Sequence, residues 1–336
     1  MSDVTQYSEL NPRETAKHVV ATLKRLRPQL GLSRFSQMTV LARKMTDVVK
    51  WVRYRKVANA GVLGEGIAPN GKKLQSDTVS AKVEQIGDAI YFTDVALDLH
   101  PDDLITEARD VVDEQILDTM EAIYYDVIRG GTLKAFAAGA ANRAATTGVV
   151  TGADLRKALL TLKKSDAMPI TSILDGGIGF NTTPVEACFV GYTNPSLEPV
   201  LRDIVGFETC DKYSKQTTLF PGEFGKFENC RLLTSTIANP NDSLLGAGGI
   251  VGDSIAHTVV GGDKKADIHQ IIFFGKGAYG GIPFGGPNSL KMYVRTPSST
   301  VGDPVAQQAY VAWKARFNAA LLQQKALNRL ETAIPA

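Results

Sequence analysis

The chain has 336 residues, 44% of them hydrophobic and 21% charged, with a formal net charge of +2. That length suffices for one large domain or two medium ones with a sizeable core. The balanced charge gives no bulk pull towards nucleic acid, and no run approaches the ~20 apolar residues a membrane span needs. Residues 1–56 nevertheless hold twelve Lys/Arg against four Asp/Glu, and residues 100–128 hold nine Asp/Glu against one Arg. Such blocks fit either contact between subunits or two solvated faces.

Met1 to Pro12 is polar and lacks the apolar core of a signal peptide, so the protein is expected to be made in the cytoplasm. Thr15 to Leu26 has helical spacing in Val19, Val20, Leu23 and Leu26, stopped by Pro28 and Gly31. A second apolar pattern runs from Met38 to Met45. Prolines and glycine interrupt residues 1–50 before a core could form, so this arm is expected to pack on something else.

Trp51 to Val57 alternates as a strand. Its interleaved Trp51, Arg53, Tyr54, Arg55 and Lys56 suit either single-stranded nucleic acid or cross-strand packing. Pro69-Asn70-Gly71 marks a loop tip. Thr78 to Ile86 alternates again and Ala89 to Thr93 continues as strand. Residues 57–93 thus read as a two-stranded excursion, which in isolation is marginally stable in water.

Pro101, Asp102 and Asp103 open a long helix, since proline suits the first turn and acids complement the dipole. Leu104, Ala108, Val111, Val112, Ile116, Met120, Ile123, Tyr124 and Val127 form its apolar stripe. Asp110, Asp113, Glu114, Asp118 and Glu121 form an acidic face. Arg129 with Gly130-Gly131 ends the rod, ~40 Å long at ~1.5 Å per residue.

Thr132 to Val150 reads as an Ala/Gly/Thr-rich loop. Thr151-Gly-Ala-Asp154 caps a helix over Leu155 to Lys164. Val185 to Tyr192 suits a central strand, Pro195 to Ile204 a short amphipathic helix, and Gly222 to Thr236 a hairpin. Gln270 to Phe274 reads as a strand between Gly-rich loops at 246–252 and 275–286. Residues 308–322 alternate like a strand but lack Gly and Pro like a helix, and pattern alone leaves both open.

Candidate chemistry is sparse. Cys188, Cys210 and Cys230 are far apart with no CxxC, so free thiols are expected rather than zinc or disulfides. Asp102, Asp103, Glu107 and Asp110 do not converge as metal ligands would. Gly246 to Gly252 lacks the strand-to-helix context of a dinucleotide site. Gly275-Lys276-Gly277 is no P-loop. His18, His100, His257 and His269 sit in no catalytic pattern. No enzyme activity and no cofactor are expected.

The ordered motifs carry a resemblance. Leu63-Gly-Glu-Gly-Ile-Ala-Pro-Asn-Gly71, followed by Val83-Glu-Gln-Ile-Gly-Asp-Ala-Ile-Tyr-Phe-Thr-Asp94, resembles the tailed-phage major capsid protein family, in particular the subfamily typified by the coat protein of coliphage N-four. Ile86 replaces the usual aromatic. Tyr192-Thr-Asn-Pro195 with Leu201-Arg202 is similar to a further family element, with Asn194 where His is usual. Gly222 to Arg231, Phe274 to Gly280, and Gly302-Asp-Pro304 with Trp313-Lys314 follow in order. The resemblance covers residues 45–332.

It implies the α+β Hong Kong 97-type capsid fold. Its parts are an N-terminal arm at 1–50, a peripheral-domain strand at 51–56 and an extended E-loop at 57–93. A peripheral domain at 94–149 carries the spine helix 101–129, an axial domain spans 150–265, and residues 266–336 return to the peripheral domain. It tips 308–322 towards strand. It also implies a homo-oligomer of hexamers and pentamers in an icosahedral shell around double-stranded DNA, assembled in the host cytoplasm. A separate scaffolding protein, a portal and a decoration protein would be partners, and no membrane is. The E-loop residues Glu65, Ile67, Pro69, Asn70, Lys72 and Lys73 would contact a neighbouring subunit. Arg13, Lys17, Lys24, Arg25 and Arg27 of the arm would meet either a neighbour's acidic surface or packaged DNA. Some relatives crosslink through an E-loop lysine, but no acid catalyst is identifiable beside Lys72 or Lys73, and no crosslink is expected. A surface-binding or decoration protein is the alternative, with a self-contained ribbon.

Overall fold

The computed structural model describes the chain except residues 1–30, 43, 45, 63–70, 101–102, 142–145, 147, 171–186, 213–219, 239–257, 261–263, 286–288, 300–302 and 336. The arm helix expected over Thr15 to Leu26 and the Gly-rich loop 246–252 lie outside the described residues. In chain order the first strands are β1 (Gln37–Met38), β2 (Val48–Tyr54), β3 (Ser76–Lys82) and β4 (Glu84–Thr93). Helices α1 (Asp94–Leu99) and α2 (Leu104–Arg129) follow, then β5 (Lys134–Phe136) and α3 (Gly152–Lys164). Next come β6 (Phe189–Thr193), α4 (Glu198–Arg202), β7 (Phe207–Thr209), β8 (Glu223–Phe227), β9 (Cys230–Thr234) and β10 (Thr258–Val260). The last strands are β11 (Lys264–Phe274), β12 (Tyr279–Pro283), β13 (Leu290–Arg295), β14 (Gln308–Leu321) and β15 (Leu327–Pro335).

The strands form two main sheets and a ribbon. One sheet has the order β5-β15-β11-β6-β9-β8-β7, with β10 also paired to β11. The other is centred on β14. Residues 308–317 of β14 pair β4 along one edge, and β13 and β12 share its other edge. β2 and β3 pair only with each other among the described strands.

Burial explains why residues 308–322 are strand rather than helix. Ala309, Val311, Trp313, Ala315, Phe317 and Ala319 are all buried, and they alternate with residues on the other face. A helix would wrap that set around its whole circumference. α2 lies on this face. Its Ala108, Val112 and Ile116 join Phe92 and the β14 residues in one apolar cluster. The indole N–H of Trp313 donates to Gln115 Oε1 at 2.9 Å, and Gln115 Nε2 donates to Asp88 Oδ2 at 2.7 Å. The second half of α2 enters a different cluster. Ile123, Tyr124, Tyr125 and Ile128 pack there with Tyr192, Ile272, Tyr279 and Leu327. The helix therefore bridges both sheets. Its 26 residues span ~39 Å, and Asp103, accepting from the Ile105 and Thr106 N–H groups, caps it.

α3 covers the eight-stranded sheet with Leu155, Ala158, Leu159 and Leu162. Thr151 and Asp154 form the reciprocal cap that the sequence announces. The hairpin over 222–236 is present as β8 and β9.

Three expectations need correction. The Gly-rich stretch 275–286 contains β12, because Gly280 and Gly281 admit neighbours that a side chain would exclude. A Cβ on Gly281 would lie 2.1 Å from the Tyr124 hydroxyl. The loop read over 132–150 contains β5, which pairs parallel with β15. Finally, residues 31–50 pack on the chain's own body. Leu32 is fully buried, Leu41 and Val49 are buried, and β1 pairs β12.

Candidate assembly interface

The ribbon leaves the body at a small apolar knot. Leu41, Val49 and Ile282 are buried there, with Trp51, Ala81, Val83 and Phe284 packed around them. Trp51 Nε1 donates to Thr39 Oγ1 at 3.1 Å. Beyond Trp51 the support ends: every described residue from 52 to 76 is exposed. Val52, Tyr54, Val57, Val62 and Leu74 are among the large apolar side chains left in solvent. Arg53 faces Asp77 across the ribbon at 3.2 Å, and Arg55 reaches the same carboxylate at 2.6 Å. Those guanidinium hydrogen bonds hold the Asp77 carboxyl below its ordinary range. Arg53 and Arg55 are thus used in a cross-strand contact, while Tyr54 and Lys56 are exposed. The excursion read as 57–93 is divided differently: the ribbon is β2 with β3, and β4 belongs to the body.

The loop residues Glu65, Ile67, Pro69 and Asn70 lie outside the described residues. Lys72 folds back across the loop and donates to the Ala58 and Asn59 carbonyls at 2.8 and 3.0 Å. Lys73 is exposed. The arm residues Arg13, Lys17, Lys24, Arg25 and Arg27 also lie outside the described residues.

The acidic face of α2 loses one member. Asp110 and Asp113 are exposed, and Glu114 and Asp118 are half-buried. Glu121 is buried, at 2% exposure. Its Oε1 accepts the Gly31 and Leu32 N–H groups, both at 2.7 Å, and the Tyr192 hydroxyl at 3.3 Å. Burial raises the Glu121 carboxyl, and the bonds from Gly31, Leu32 and Tyr192 work against that rise. Tyr279 donates to the Leu32 carbonyl at 2.6 Å, and burial keeps its hydroxyl protonated. Tyr124 reaches Ser36 Oγ at 3.1 Å. Glu121, Tyr279 and Tyr124 thus fasten Gly31, Leu32 and Ser36 to the body. The sequence carried a signal for this: Met120 and Ala122 to Tyr125 surround Glu121 with apolar residues, as in a helix buried on all sides.

Cys188 and Cys230 are buried free thiols and Cys210 is half-buried. Among the described residues no three His, Cys, Asp or Glu side chains gather as metal ligands. No described helix is long and apolar enough to cross a membrane.

No family model and no curated protein sequence matches the chain. Solved structures do. The capsid of Ralstonia phage GP4 is similar with a TM-score of 0.69 at 13% identity, covering 100% of this chain and 99% of that one. The head structure of Helicobacter pylori bacteriophage KHP40 is similar with a TM-score of 0.64 at 13% identity, covering 99% and 98%. The capsid of the cyanophage P-SCSP1u is similar with a TM-score of 0.61 at 15% identity, covering 96% and 93%. At such identities the likeness is one of fold, and it extends over nearly the whole of each chain. This chain has the fold of phage capsid proteins.

Proposed function

We propose that the chain is the major capsid protein of a tailed phage, of the Hong Kong 97-type and allied by its motifs to the N-four-like subfamily. The observation that carries this reading is the β2–β3 ribbon. It projects past its supporting knot with apolar side chains exposed, on a body whose whole length shares a capsid fold. A lone ribbon of that kind is at best marginally stable. Laid over a neighbouring subunit, it would bury Val52, Tyr54 and the loop beyond them. The arm, fastened at Gly31 and Leu32, would reach a neighbour or the packaged DNA.

Subunits in hexamers and pentamers would then close an icosahedral shell around double-stranded DNA in the host cytoplasm. A separate scaffold, a portal and a decoration protein would take part. Subunits are not covalently joined through Lys72 or Lys73, so purified particles should run as a monomer-sized band on denaturing gels. The deciding experiment is negative-stain microscopy of the protein expressed with its neighbouring phage genes. Shells, sheets or capsomers are expected; a monodisperse monomer under all conditions would overturn the proposal.

A further inference from the structure

Among the described residues, the β14-centred sheet carries a helix on one face only. On the other face the register sets Lys314 directly opposite Lys291, with Gly87 on its other side. In the next row Ala312 lies between Tyr293 and Ala89, and in the row beyond Tyr310 lies between Arg295 and Tyr91. Arg316 stands one row the other way, beside Gln85. Lys291, Arg316 and Tyr293 are exposed, and Lys314, Tyr91 and Tyr310 are half-buried. None of these positions holds a carboxylate.

Two features mark the face as built for an anionic partner. Like charges directly opposite each other destabilise an antiparallel pair. Lys291 and Lys314 are such a pair, and neither has an ion-pair partner among the described residues. The guanidinium of Arg316 lies over the Phe284 ring at 5.2 Å, which fixes a third cation beside them. The middle of the face, moreover, is floored by Gly87, Ala89 and Ala312. These leave a shallow trough spanning three strands, ~10 Å between the outer two, with tyrosines along its side and end.

The chemistry favours protein over nucleic acid. Lys291, Lys314 and Arg316 gather in two adjacent rows, and Arg295, two rows beyond Lys314, is taken up by Ser298, so the cations do not follow a phosphate track. Tyr91 and Tyr310 lean on each other, with ring centroids 5.9 Å apart and planes at 57°, instead of offering parallel faces to bases. Tyrosine and arginine are the residues that anchor protein interfaces. A second copy's ribbon is a poor occupant, because it brings Lys50, Lys56 and the pair Arg53 and Arg55, which share the single carboxylate of Asp77, to a basic surface.

We propose that this face docks an extended acidic segment of a partner protein. Its carboxylates meet Lys291, Lys314 and Arg316, and its main chain lies along the trough beside Tyr293 and Tyr91. This goes beyond shell building and does not depend on it. The test uses the full chain with a synthetic peptide of alternating glutamate and threonine and a duplex oligonucleotide of equal length. The protein should bind the peptide, and K291Q/K314Q should weaken binding about tenfold or more. R53Q/R55Q, which changes the ribbon instead, should leave it unaltered. Without peptide, K291Q/K314Q should melt no lower than the parent chain, since it relieves a repulsion. Failure to bind the peptide, equal binding by K291Q/K314Q, or displacement of the peptide by a lower concentration of the oligonucleotide would each overturn the proposal.

Discussion

Glu121 sits among Ala122, Ile123, Tyr124 and Tyr125, all of them buried with it. A carboxylate there is costly unless it is fully used, and its use is to hold Gly31 and Leu32. Removing it in E121A leaves two buried N–H groups without their acceptor. We expect a loss of about 3 kcal/mol in denaturant unfolding and faster amide exchange at Gly31 and Leu32. E121Q keeps an acceptor and should lose less. The pH dependence has a definite sign. Because burial raises the folded-state value, the group contributes most below its ordinary, unfolded value. That contribution is lost as pH rises through the raised folded value. The parent chain should therefore lose stability over that rise, and E121Q should not show this part of the slope. The apolar run around Glu121 sets it apart in the sequence from Asp118 three residues earlier, but does not name its partners. The distinction lies in what the helix meets at each turn: Tyr192 with Gly31 and Leu32 at one, partial solvent at the other.

The elements themselves were legible to different depths. α2, α3 and the β8–β9 hairpin follow from spacing and caps, because their signals are local. β5 and β12 were not legible. Each is short, and each exists because a distant strand, β15 or β14, supplies its hydrogen bonds. The ribbon was legible as alternation but not in its partners, since nothing in residues 84–93 says that β14 rather than β2 will pair with them. One consequence can be measured on the ribbon. Arg55 and Lys56 are exposed with no core beneath them. Trypsin should cut there in free subunits, and assembled particles should be protected at the same bonds. Equal cutting in both would mean that the ribbon is not covered in the particle.

At the scale of the molecule, the body and its projections answer to different forces. The body holds three large apolar clusters, two of them joined by α2, and the ribbon adds nothing to them beyond its knot. Replacing Val52 and Tyr54 by serine should therefore leave the unfolding free energy of the isolated subunit within about 0.5 kcal/mol. The same V52S/Y54S chain should fail to form shells in negative-stain images. A variant that assembles normally would show that these side chains are not the buried contact.

β14 and β15 complete both sheets, and both come after all their partners in the chain. β4, β12 and β13 wait for residues 308–321, and β5 and β11 wait for 327–335. During synthesis, then, neither layer can close until those residues have left the ribosome. A nascent chain exposes its ribbon early but has no finished body for another ribbon to rest on. The order of strands thus acts as a clock: under the proposed shell-building role, a subunit could receive a neighbour's ribbon only after its last strands are in place.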